Sequence, residues 1–278
     1  MNAVRVSADP FGSGGLNTTA GASQIELTRT GSGTNWVGTV TLLECTAPTD
    51  PNGFRLLDVP VVTLPAAAGI ASAIATVNPW GDLSKVGCYG GFRGGGAAIS
   101  NGSSGSSALC IARFVPSGAN TLTVEQNSTG KATSTAVHTC YVVEWGAAWQ
   151  IQRVTVSGNA GGNGANAVGE FNTAAIAPVE SARSFVWGAG HTADGGIGDG
   201  QAATLVTLGN GLTVGATESV VAVGQEYSDA RVFDVTTHTH PDLSVAHISK
   251  STDGNNGSLT FTYPVPLPVT TESYLTGT

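Results

Sequence analysis

The stretch Tyr141-Val142-Val143-Glu144-Trp145 resembles Arg231-Val232-Phe233-Asp234-Val235, and both are short runs of strand-forming residues. β-branched and aromatic side chains favour pleated strands, where they pack against neighbouring strands. Four more stretches match in the same order along the two halves: Trp36–Leu42 with Trp149–Val156, Val86–Gly91 with Val186–Gly190, Leu109–Phe114 with Thr204–Leu208, and Asn120–Val124 with Asn210–Val214. The conserved order of the matches predicts an internal duplication. It also pairs Glu144 with Asp234, each in an apolar strand, which indicates a structural role for both.

Composition favours β-structure throughout the chain. Of its 278 residues 39 are Gly and only 11% are charged, and Thr, Val, Ser and Asn fill much of the rest. Asn-Gly pairs, which suit the type I′ turns of hairpins, start at Asn52, Asn101, Asn210 and Asn256. Pro65–Ala75 is the one stretch whose residues are compatible with one or two helical turns. We therefore predict an all-β fold.

The length suits two β-domains, and the matches divide the chain near Gly146. We predict tandem β-sandwich domains, jelly-roll-like or immunoglobulin-like, with extended arms at both ends. The predicted parts are an N-terminal arm at residues 1–34, a first domain at 35–147, a second domain at 148–262, and a proline-rich C-terminal arm at 263–278.

Charge and hydropathy exclude two classes of partner. The formal net charge is −8, and the eight arginines and three lysines are scattered singly, whereas phosphate binding needs clustered cations. No apolar run approaches the roughly 20 residues that span a bilayer. The first 21 residues lack the basic start and apolar stretch of a secretion signal. We expect no nucleic-acid binding, no membrane span and no Sec export.

All four cysteines lie in the first half, and no pair has the C-x-x-C spacing of zinc or redox sites: Cys45, Cys88, Cys110 and Cys140. Cysteine is often a small buried hydrophobe, so buried free thiols are one interpretation. Disulfides within or between subunits are the other, and the sequence leaves both open.

Two segments have metal-binding potential, but neither pattern is complete. His238 and His240 would project from one face of a strand, with Asp242 and His247 nearby, yet Pro241 indicates that the strand ends there. The glycine-rich run Asp194–Gly200 has carboxylates for calcium but occurs once, whereas calcium-binding nonapeptides recur. We predict no metal ligand and no cofactor.

Catalytic patterns are also missing from the sequence. No Gly-x-Ser-x-Gly elbow is present in a strand–turn–helix context, and the Gly-rich loops have no surrounding βαβ unit. We expect a non-enzymatic protein with no catalytic residues. The tryptophans mostly lie in predicted strands and are expected in cores, whereas Trp80, beside Pro79, is the candidate surface contact.

Residues 140–240 resemble structural proteins of tailed-bacteriophage particles, including capsid decoration (cement) proteins of β-sandwich build. The resemblance is carried by Val143–Trp145, Gln152–Val156, Gly161–Asn166, Phe185–Gly188, Gly196–Gly200 and Val223–Tyr227. It implies attachment to a capsid or tail, and it carries no catalytic residues over to this chain.

The expected function is therefore that of a decoration protein on the capsid surface, made in the host cytoplasm. The expected partners are the major capsid protein and copies of the chain itself. Low charge and few lysines agree, because they reduce the entropy lost when an interface is ordered. Three alternatives remain: a receptor-binding or tail-fibre module that binds glycans, a tail or baseplate component, and a bacterial surface adhesin.

Overall fold

The computed structural model describes residues 2–4, 16–20, 25–29, 43–45, 50–65, 69–94, 112–128, 135–158, 171–192, 204–211, 214–225 and 231–245. These ranges contain seventeen strands, two short 3₁₀ turns and no α-helix. All strand pairs within them are antiparallel. The all-β prediction is confirmed.

The first eleven strands build the first half. In chain order they are β1 Asn2–Val4, β2 Leu16–Ala20, β3 Ile25–Arg29, β4 Leu43–Cys45, β5 Phe54–Asp58, β6 Val61–Leu64, β7 Gly69–Thr76, β8 Val86–Gly94, β9 Arg113–Ser117, β10 Thr121–Ser128 and β11 Ala136–Trp145. Strand β1 pairs with β4, and β2 pairs with β3. The extended N-terminal arm stays a prediction, and the C-terminal arm lies outside the described residues.

Six strands build the second half: β12 Gln150–Gly158, β13 Phe171–Glu180, β14 Ser184–Thr192, β15 Thr204–Leu208, β16 Thr217–Gln225 and β17 Arg231–Thr239. They form two three-stranded sheets, ordered β12-β17-β14 and β13-β16-β15.

The two halves share one strand order. In the first half β11 lies between β8 on one side and β5 and β6 on the other, and β10 lies between β7 and β9. A 3₁₀ turn precedes β8 at Leu83–Lys85, and another precedes β14 at Ser181–Arg183. The topology therefore repeats, as a duplication predicts.

The residue matches within the repeat need correction. Val86 follows the first 3₁₀ turn and pairs with Glu144, whereas Ser184 follows the second and pairs with Thr239. Glu144 thus corresponds to Thr239, and the predicted equivalence of Glu144 and Asp234 is wrong. Short Val/Thr strands match in several registers, so sequence alone did not fix the alignment.

Each half has its own hydrophobic cluster, fed by both of its sheets. The first contains Leu57, Val62, Leu64, Val77, Trp80, Val86, Cys88, Ala112, Phe114, Leu122, Val124, Cys140 and Val142. The second contains Val156, Ile176, Val179, Leu208, Val221, Val223, Phe233 and Val235. Each fully buried Val or Leu contributes about 1.5–3 kcal/mol relative to an exposed one. Strand β6 shows the alternation that this packing needs, with Val62 and Leu64 buried and Val61 and Thr63 exposed.

Two local expectations fail because tertiary packing decides them. Residues 69–75, included in the possible helical turns, form strand β7, in which Ala73 and Ala75 pack on the first cluster and Ala71 is buried. Trp80, expected at the surface, is buried, and its indole N–H donates to the Gly118 carbonyl at 2.9 Å.

Glycine is required at a turn and at one close approach. Gly118 has φ 58° in the short connection between β9 and β10, a conformation that other residues rarely adopt. A Cβ on Gly90 would lie 2.1 Å from the Phe114 ring, so this glycine lets β9 pack across β8.

The described residues include no helix long and apolar enough to cross a bilayer.

Candidate functional site

The candidate site is the contact between the halves, which we call the aromatic interface. Residues on β5, β8 and β11 bury side chains on the face opposite to the first cluster: Phe54, Tyr89, Tyr141, Val143 and Trp145. Packed against them, mostly from the second half, are Leu56, Val59, Trp149, Ile151, Phe185 and Trp187. Successive side chains of a strand point to opposite faces, which lets β8 contribute to both clusters: Cys88 faces the first cluster and Tyr89 faces the interface.

Tyr89 and His238 form the polar centre of this interface. The Trp145 indole N–H donates to the Tyr89 phenol oxygen at 2.8 Å. The phenol oxygen is also hydrogen-bonded to His238 Nε2. Because the phenol oxygen already accepts from Trp145, its own O–H is free to donate to His238 Nε2. This arrangement requires a neutral imidazole whose Nε2 is unprotonated.

Burial keeps both groups uncharged. Burial lowers the pKa of His238 to about 3, although the backbone at Phe185 and Thr236 offsets part of the effect. Burial also raises the pKa of the Tyr89 phenol well above its ordinary value. Neither group changes its charge near neutral pH, so the hydrogen bond between them stays the same over that range.

Ring stacking surrounds the pair. The Phe185 ring lies parallel to the His238 ring, with centroids 4.4 Å apart and planes at 3°. The Tyr89 ring meets Trp187 edge to face at 5.9 Å, and Trp145 lies 4.5 Å from Trp149. Such aromatic pairs add about 0.5–1.5 kcal/mol each beyond the area they bury.

An ion pair makes a second connection between the halves. Arg113 on β9 holds Asp234 on β17 with two hydrogen bonds, Nε to Oδ2 at 2.8 Å and Nη2 to Oδ1 at 2.9 Å. Thr155 Oγ1 donates to the same carboxylate at 2.8 Å. The hydrogen bond to Asp234 is the main reason that the pKa of Arg113 is raised. Glu125 adds a contact to Arg113 Nη1 at 3.4 Å.

The segment that joins the halves is also tied down. Gly146 N–H donates to the Gly53 carbonyl and Ala148 N–H to the Pro51 carbonyl, both at 2.9 Å. Lys85 Nζ donates to the carbonyls of Ala147 and Trp149. A Cβ on Gly146 would lie 2.3 Å from the Pro51 carbonyl oxygen, so the segment packs closely.

Glu144 anchors the 3₁₀ turn next to this segment. Its Oε1 accepts from the N–H groups of Gly81 and Asp82 at 2.6 and 2.8 Å, and its other oxygen pairs with Arg55. Arg153 of β12 reaches the same turn, with Nη2 donating to the Leu83 carbonyl at 3.0 Å. The turn of the first half is therefore bonded to the second half.

His238 and His240, the candidate metal pair, both make hydrogen bonds within the protein. His240 Nδ1 accepts from the Asp242 N–H at 3.1 Å, and its Nε2 lies 3.1 Å from Asn52 Oδ1. His238 is bonded to Tyr89. Within the described ranges no three His, Cys, Asp or Glu side chains gather as a metal site would require. His247 and the Asp194–Gly200 run lie outside those ranges.

Two of the four cysteines are placed by the structure. Cys88 and Cys140 are buried free thiols on β8 and β11. Register places Cys140 diagonally from Cys88, which is opposite Val142. Burial, with the adjacent Cys88 thiol, raises the pKa of Cys140 well above its ordinary value, so that thiol is unreactive. The Cys45 side chain and Cys110 lie outside what the structure describes.

The amino-acid sequence did not predict this interface. The tryptophans are expected in cores from their strand positions, whereas Trp145, Trp149 and Trp187 meet between the halves. One signal was present: residues 140–143 are apolar without alternation, which indicates a strand covered on both faces. His238 carried no such signal, since its polar neighbours in Thr236–His240 read as a strand end.

Compared with protein-family models, with curated proteins and with solved structures, the chain matches none.

Proposed function

We propose that the chain is a structural component of a bacteriophage particle, a decoration protein that binds the outside of the head. Its partners in this proposal are the major capsid protein and other copies of the chain. It is made in the host cytoplasm and carries out no chemical reaction.

The observation that carries the proposal is the way the two halves are joined. A buried, uncharged Tyr89–His238 hydrogen bond and the Arg113–Asp234 ion pair connect strands of both halves. A cement protein must hold neighbouring capsid subunits at a fixed separation. The aromatic interface and the ion pair together resist bending between the two halves. The residues of both contacts are used for packing, which leaves them unsuited to binding and releasing a substrate.

The finer fold in this proposal is two tandem β-sandwiches of jelly-roll type with extended terminal arms. Support comes from the two sheets of each half, which share one hydrophobic cluster, and from the repeated strand order. Jelly rolls occur in viral capsid and lectin domains. The arms at residues 1–34 and 263–278 would add contacts to neighbouring subunits.

Composition agrees with a surface that is buried on assembly. Three lysines and a charged fraction of 11% leave few long, mobile side chains to be immobilised at an interface. The net charge of −8 favours solubility of the chain before assembly.

Co-sedimentation with separated particle parts tests the proposal. Purified chain is mixed with heads and, separately, with tails of the phage that carries its gene. The expected result is saturable binding to heads at a fixed ratio of chains to capsid subunits. Binding to tails alone, or to neither part, would contradict the proposal.

Two further measurements separate the alternatives. A chain lacking residues 1–30 is expected to occupy fewer head sites, and unchanged occupancy would contradict the role of the N-terminal arm. A glycan array should show no specific binding. Selective binding of one glycan class would instead favour the receptor-binding module.

A further inference from the structure

Strand β7 has one edge to which no described strand is hydrogen-bonded. It is the outer strand of its sheet, and among the described strands it pairs with β10 alone. Val77 N–H donates to the Asn120 carbonyl at 2.9 Å, which extends the β7–β10 register by one residue. Because hydrogen-bonded and non-hydrogen-bonded positions alternate, odd-numbered residues bond β10. The N–H and C=O groups of Ile70, Ser72 and Ile74 therefore point toward this edge.

This edge lacks the features that keep sheet edges apart. Ile70 and Ile74 are 64% and 71% exposed on one face of β7, and the strand contains neither a charge nor a proline. Its counterpart in the second half, β13, has Pro178 and a register shift between Ala175 and Val179. Prolines and bulges are usual protections against edge-to-edge pairing. Only β13, of these two equivalent strands, carries them.

The sequence of β7 is self-complementary. Ile70-Ala71-Ser72-Ala73-Ile74 reads the same in both directions. A two-fold interface brings the same surface together from both copies, so a palindromic strand meets itself with matched residues. The centre of the palindrome, Ser72, is one of the residues whose backbone groups face this edge.

We propose that β7 pairs antiparallel with β7 of a second copy of this chain, about a two-fold axis at Ser72. The two three-stranded sheets then form one six-stranded sheet. The inference deepens the proposed function by naming the surface through which copies of the chain associate. It rests on one part of that function, the association of copies, and not on binding to the capsid.

Register and charge both fit this pairing. Ser72 faces Ser72 of the second copy, and Ile70 faces Ile74 of the second copy on either side of the axis. Each facing pair exchanges two backbone hydrogen bonds, since all three are at positions directed to this edge. Opposed apolar side chains stabilise such pairs. The residue opposite Ser72 on β10 is Glu125, and its carboxylate is paired with Arg113, so this position does not bring a bare negative charge to each side of the axis.

Paired charge substitutions test the register. Ile70→Lys with Ile74→Lys places like charges opposite one another across the axis. Ile70→Lys with Ile74→Glu places an ammonium opposite a carboxylate at both positions, and only in the antiparallel register centred on Ser72. Val61→Lys with Val214→Lys is the matched control, because both valines are exposed and lie off β7. Sedimentation equilibrium over a dilution series measures the mass, and circular dichroism checks folding.

The expected result is a parent chain with twice the 27.8 kDa mass of one copy, shared by the Lys/Glu variant and the control. The dimer of the Lys/Lys variant should have a dissociation constant about tenfold higher than that of the parent dimer, or more. A monomeric parent would overturn the proposal. So would a Lys/Glu variant as dissociated as the Lys/Lys variant.

A cross-link reports the axis directly. Facing residues at a hydrogen-bonded antiparallel position have Cα atoms about 5.5 Å apart, within the span of a disulfide. Ser72→Cys with oxidised glutathione should give a covalent dimer, by exchange that releases two glutathione thiols. The parent chain treated alike measures any covalent dimer that forms through its own cysteines. No additional dimer from Ser72→Cys would contradict the two-fold. Head co-sedimentation is scored separately, so its failure would count against the particle role and not against the dimer.

Discussion

Tyr89 and His238 are 149 residues apart in the chain, yet they share one buried hydrogen bond between the halves. The phenol oxygen also accepts from Trp145, so one hydroxyl group satisfies two neighbours. Both partners are uncharged at neutral pH because burial disfavours their ionised forms. The aromatic interface therefore combines apolar packing with a specific polar contact at its centre.

Removing the phenol oxygen should weaken the aromatic interface. Tyr89→Phe leaves the Trp145 N–H and His238 Nε2 without this partner, and each unsatisfied buried group costs about 1–3 kcal/mol. Urea unfolding measures the loss. His238→Leu alone should also destabilise, but the double variant should lose less than the sum, with a coupling of about 1–2 kcal/mol. Additive losses would argue against a direct bond.

Acid should destabilise the fold before most carboxylates titrate. Burial lowers the pKa of His138 to about 4 and of His238 to about 3, from the ordinary value of 6.5. Between pH 6.5 and about 5 the unfolded chain binds protons at both positions and the folded chain does not. The free energy of unfolding therefore decreases as the pH is lowered. Each histidine contributes up to about 1.4 kcal/mol per pH unit. His238→Leu should halve this slope in urea titrations, and an unchanged slope would contradict the buried, neutral state.

The Arg113–Asp234 pair should matter more than an exposed ion pair. Its side chains are 19% and 22% exposed, and Thr155 also bonds the carboxylate. Asp234→Asn should cost about 1–2 kcal/mol because the bonds are charge-assisted and partly shielded from water. The matched control is Glu180→Gln in the Arg183–Glu180 pair, where both side chains are far more exposed. That change should cost less than about 0.5 kcal/mol. Equal losses would refute a special role for Asp234.

Gly90→Ala should destabilise the first half. The new methyl group would lie 2.1 Å from the Phe114 ring, and overpacking of this kind costs about 1–3 kcal/mol. Phe114→Leu combined with Gly90→Ala should lose less than the two single changes added together. Thermal unfolding measures all three variants, and a neutral Gly90→Ala would contradict the close approach of β9 to β8.

The sequence was informative where one local rule was decisive. Strand-forming residues and turn glycines sufficed for the all-β class, and ordered matches sufficed for a repeated topology. Strand β7 was missed because its alanines favour helix, whereas pairing with β10 decides its conformation. The aromatic interface was missed because contact between Tyr89 and His238 depends on how the two halves dock, which no local pattern encodes.

Differential scanning calorimetry tests most directly the claim that the two halves form one rigid unit. The parent chain is expected to unfold in a single transition, with calorimetric and van't Hoff enthalpies that agree. Tyr89→Phe with Asp234→Asn should separate it into two. Two independent transitions in the parent chain itself would contradict the account, because halves that melt separately are not held together by the interface described.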